Sequence, residues 1–130
     1  MMRSCAEILR LLALHTHFDL EAKDMTAFLV FNLRAIYETI EESAGSWDER
    51  NYWKKAEKLR HRWLWTRQTA DKLEALILRD AWDEVPEVLL SLVPYFQHIT
   101  IQTITRNSDW WCGALKALKR QHTSNLNLPS

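Results

Sequence analysis

Glycine and proline are almost missing from this chain, with 2 Gly and 3 Pro in 130 residues. The tight turns that join β-strands need residues free to take positive φ or pre-set near −65°, and so few of them leave little material for a sheet protein. Leu, Ala, Glu, Lys and Arg dominate instead, so the composition predicts an all-α chain. At 130 residues, 47% of them hydrophobic, the sequence suffices for one buried core and is too short for two. The expectation is a single helical-bundle domain over residues 1–120 and a flexible polar tail over 121–130.

Helix signals divide that domain into about five helices. Ser4 and Glu7 have capping-box spacing, which predicts a first helix over residues 5–15. Asp19 can cap a second, whose Met25, Leu29, Leu33, Ile36 and Ile40 recur every three or four residues until Ala44 and Gly45. Residues 27–31 are apolar all round, so this helix should be central. Ser46 and Glu49 repeat the capping-box spacing directly after Gly45, predicting a very short turn and a long antiparallel third helix over 47–80. Asp83 is the expected cap of a fourth helix with Pro86 in its first turn and a kink or break near Ser91, ahead of Pro94. Residues 99–105 alternate like a strand but have no second strand to pair with, and are expected to be helical. Ser108 and Asp109 should open the last helix, over 108–120.

Lys plus Arg and Asp plus Glu both total 17, so a globally basic or acidic surface is excluded and any electrostatic function must be local. Locally the charge is segregated. Residues 19–49 hold eight acids and two bases, and residues 50–67 hold seven bases and one acid. On a wheel at about 100° per residue, Tyr52, Ala56, Leu59, Trp63, Ala70 and Ile77 share a core-facing stripe of the third helix. The opposite face carries Trp47, Arg50, Lys54, Lys55, Lys58, His61, Arg62 and Trp65. Indoles among cations suit nucleic acid, because bases stack on the rings while Lys and Arg neutralise phosphates, and they suit an acidic protein equally. The competing expectation is that Glu38, Glu41 and Glu42 of the second helix cover this face, near Arg50, Lys54 and Lys55.

Seven tryptophans exceed what a small core easily hides with its indole N–H groups bonded. The surplus points to an interface, for which Trp82, Trp110 and Trp111 join Trp47 and Trp65 as candidates. Adjacent Trp110 and Trp111 must point in different directions on a helix.

Signals for chemistry are weaker. No Glu-x-x-His occurs, and His15/His17 or Glu57/His61 supply no complete ligand set, so no metal and no cofactor is expected. Arg10 and His15 have the Arg-x4-His spacing that helical HEPN-type ribonucleases use, with His to activate a hydroxyl and Arg to steady phosphate charge. Ten arginines and five histidines supply about one such pair by chance when four to six intervening residues are allowed, so a nuclease ranks third. Cys5 and Cys112 have no CxxC partner or local His; they imply a reduced cytoplasm and should be small apolar residues on inward faces. Gly45 and Gly113 cannot build a phosphate-cradling loop. Glu7 and Arg10 interrupt the N-terminal apolar run, which reads as a mature helix, and no stretch is long enough to span a bilayer. The favoured function is a non-catalytic cytoplasmic interaction protein that self-associates as a homodimer, with nucleic-acid binding through the third helix as the alternative.

Overall fold

The computed structural model describes residues 2–15, 19–99, 101, 104–105 and 107–126. Within them the chain is all-α: α1 (Met2–Leu12), α2 (Leu20–Glu49), α3 (Trp53–Leu78), α4 (Val85–Phe96) and α5 (Ala114–Leu126), with single 3-10 turns at Trp82–Glu84 and Ser108–Trp110 and no strand. The α2/α3 hairpin is the frame, and α2 is central as its all-round apolar stretch predicts. Leu29, Val30 and Leu33 from α2 meet Leu73 and Ile77 from α3, all fully buried. Ile8 of α1, Leu92 of α4 and Leu118 of α5 close the same core.

Asp19 caps α2 as expected, its carboxylate accepting the Ala22 N–H at 2.8 Å. The other end differs. The helix runs through Gly45 and Ser46 to Glu49, so Ser46 and Glu49 form no capping box and the hairpin turns six residues later. The stop is Asn51, at φ 64°, with the Tyr52 N–H donating to the Trp47 carbonyl and the Asn51 N–H to that of Asp48. This is a Schellman closure with asparagine where glycine is usual. The end of α3 repeats it: Asp80 takes φ 55°, while the Ala81 and Asp80 N–H groups donate to the Leu76 and Ile77 carbonyls. Asn and Asp tolerate the left-handed region, so helices can stop here almost without glycine. Gly45 is left inside a helix, and a Cβ there would meet nothing within 4 Å. Gly45→Ala is therefore expected to raise stability by about 0.5–1 kcal/mol, read as a higher midpoint in urea.

Three further expectations are corrected. Ser4 and Glu7 lie inside α1, both buried, and form no cap. The Glu7 carboxylate accepts both the backbone N–H and the hydroxyl of Thr105, and Arg3 lies 3.4 Å away. The described residues of 99–105 are not helical. They lie irregularly against α1, where the Arg10 guanidinium donates to the Ile101 carbonyl. Helix α4 opens without a side-chain cap, Asp83 lying in the preceding 3-10 turn, and it continues undivided past Ser91 to Phe96. Pro94 falls in its last turn, where its missing N–H removes one bond, to the Leu90 carbonyl.

The last helix begins later and ends later than its signals suggest. After the 3-10 turn, Gly113 takes φ 80° and α5 runs from Ala114 to Leu126, past the expected end at 120. Its N-terminus is capped from another helix. Asp24 of α2, 8% exposed, accepts the Leu115 N–H at 3.0 Å and the Gly113 N–H at 3.3 Å.

Candidate interaction surfaces

Helix α2 has 30 residues and α3 has 26, roughly 45 and 40 Å, whereas α1, α4 and α5 have 11 to 13 residues and reach less than about 20 Å. The short helices cover only one half of the hairpin. Buried positions cluster at Ala22 to Ile36 and Thr66 to Ile77, while from residue 37 to 62 only Ala44 and Ala56 are buried. Among the described residues that stretch is a bare two-helix arm. Arg60 clasps it, with Nε 3.2 Å from Glu41 and Nη2 2.7 Å from Asp48, and the Asp48 bond first, then Glu41, holds this guanidinium above its usual pKa. Nearer the core, Arg34 joins Asp71 and Glu74 across the same seam.

The basic face lies on this arm and is open. Arg50, Lys54, Lys55, Lys58, His61 and Arg62 are all exposed, and Glu41 turns to Arg60 in the seam instead of covering them. Glu38 and Glu42 are exposed as well. Trp47 is half-buried near the end of α2. Trp65 does not join the face: its ring stacks on Tyr95 at 3.9 Å and 9°, meets Phe96 edge-on at 5.8 Å and lies 6.0 Å from Trp63. The wheel sets it on the face opposite Trp63, yet it packs beside Trp63 and the end of α4 against the core. The indole that the face does present is Trp53, 58% exposed, with Lys54 Nζ 5.5 Å from its ring centre. Tyr52, expected in the core stripe, is likewise exposed beside Lys55.

The other tryptophans are mostly absorbed within the chain. Trp111 is buried, Trp82 is half-buried with Lys23 Nζ 5.2 Å from its ring, and Trp110 meets Phe28 edge-on at 6.5 Å while keeping half its surface in water. The adjacent pair divides between core and surface, although neither residue lies on the expected last helix, which begins only at Ala114.

A second open surface is apolar and runs between α1 and α4. Two adjoining depressions of about 300 and 360 Å³ share Leu9, Ala13 and Val93. Ala6 and Arg10 line one with Phe96 and Gln97, His15 lines the other with Pro86, so the helices are antiparallel. Leu90 on its rim is 70% exposed and Val93 42%. The two ends differ in charge, with Arg10 at one and exposed Glu87, three residues before Leu90, at the other.

Arg10 is held on the Ile101 carbonyl, and His15 Nδ1 lies 3.0 Å from the Leu11 carbonyl. Among the described residues no group of three His, Cys, Asp or Glu side chains could hold a metal ion, and no helix is long and apolar enough to cross a membrane. Cys5 is buried as expected, and burial pushes its thiol up to about 12; Cys112 is exposed, against expectation, since it precedes α5 instead of lying on its inner face. Because the thiolate is the nucleophile, a thiol reagent at about pH 8 should modify Cys112 rapidly and Cys5 only on unfolding. Two thiols reacting in the native protein would contradict this burial. No protein-family model, curated protein or solved structure matches the chain.

Proposed function

We propose that this chain is a non-catalytic interaction protein that pairs with a second copy of itself across the α1/α4 surface. The observation that carries the reading is the continuous apolar trough through Leu9, Ala13 and Val93 with Leu90 open on its rim. Leaving such a leucine in water forgoes roughly 1.5–3 kcal/mol of burial. The trough also suits a copy of itself: a two-fold axis across it sets the Arg10 end of one subunit against the Glu87 end of the other. Zero formal net charge adds no long-range repulsion between copies. The tryptophan surplus does not support the pairing, since most of the indoles are taken up internally. We place the protein in the reduced cytoplasm, a reading supported by two cysteines that are both free.

Hydroxyl-radical footprinting of the whole protein across a concentration series tests the face. Oxidation of Leu90 and Val93 should fall as concentration rises, with Trp53 on the arm unchanged. Concentration-independent oxidation of Leu90 would remove α4 from any interface.

A further inference from the structure

We propose that the exposed ridge of α3 on the arm binds single-stranded nucleic acid, independently of the pairing surface. Lys54, Lys58 and Arg62 follow one another at steps of four residues and form a single row, with about 5–6 Å between neighbouring Cβ atoms. Arg50 and Lys55 flank the row at the tip, and Glu57 is the acid among them. Among the described residues no ion pair joins this row to an acid of α2, and Glu41 and Asp48 of that helix close on Arg60 in the seam. A row of uncovered cations attracts a polyanion, and the tip decides which kind.

At the tip, Trp53 and Tyr52 expose 58% and 53% of their surface, and Lys54 and Lys55 lie over their rings. An acidic helix would satisfy the cations and leave both rings in water. An unpaired base uses both features at once, stacking on the flat ring while its phosphates meet the ammonium groups. In a duplex the bases are stacked on each other and offer the tip no free face, so the occupant is single-stranded.

Fluorescence anisotropy of the whole protein with labelled mixed-sequence RNA and DNA oligonucleotides, in a salt series, tests this. Three phosphate contacts predict a slope of about −2 in log affinity against log salt, or a loss of about twentyfold for a fourfold rise in salt. Lys54→Glu, Lys58→Glu and Arg62→Glu together should abolish binding; all three are exposed, and the corresponding Gln variants give the same reading if charge reversal impairs folding. Trp53→Ala should weaken binding about fivefold or more and leave the salt slope unchanged. Absence of binding at low salt, or full binding by the triple variant, would overturn the proposal. So would polyglutamate competing as well as the oligonucleotide, which would make the ridge a site for an acidic protein.

Discussion

Leu90→Glu is expected to convert a pair of subunits into monomers while leaving the fold in place. Leu90 is 70% exposed in the single chain, so replacing it removes little from the monomer's own core. In an isologous interface the same side chain is buried twice, once from each subunit, and each burial contributes roughly 1.5–3 kcal/mol. Losing both weakens association by at least about a hundredfold, and burying a carboxylate in place of each leucine weakens it further. Sedimentation should show the variant at the monomer mass where the unmodified protein is paired, with the same helical circular dichroism. A variant that sediments like the unmodified protein would show that α4 takes no part in pairing.

Asp24→Ala is expected to lower stability by about 1–3 kcal/mol and to act chiefly on α5. Among the described residues no other acceptor meets the two N–H groups at the start of α5, and Asp24 is largely shielded from water. The carboxylate also sits at the positive end of the α5 dipole, so the loss is electrostatic as well as geometric. For a chain of this length the change corresponds to a fall of roughly 3–10 °C in melting temperature. Hydrogen exchange over α5 should rise more than over the α2/α3 hairpin, and Asp24→Asn, which keeps one acceptor, should fall between. Equal melting of Asp24→Ala and the unmodified protein would mean that α5 is held by Trp111, Ala114 and Leu118 alone.

These residues also show what the sequence makes legible. Asp19 could be read because its bond to Ala22 spans three residues, and the all-α class followed from scarce turn residues and helical periodicity. Gly45 misled because glycine marks a helix end only where the chain needs positive φ, and Asn51 and Asp80 meet that need. Glu7 and Asp24 could not be assigned, because their partners at Thr105, Gly113 and Leu115 lie some ninety residues away and no local pattern records the contact. The same distinction governs the surfaces. The basic row of Lys54, Lys58 and Arg62 is a property of one helix and was visible on a wheel, whereas the cover over Trp65 depends on where α4 ends. Trp53 was assigned to neither face of that wheel, and its place beside Lys54 appears only in the structure. The α1/α4 trough depends on two helices far apart in sequence and had no signature in either.

Sedimentation equilibrium of the unmodified chain over a wide concentration range tests the central claim most directly. Self-association predicts a mass that rises from 15.4 kDa toward twice that value and goes no further, because a two-fold interface closes on itself. A mass of 15.4 kDa throughout would contradict it.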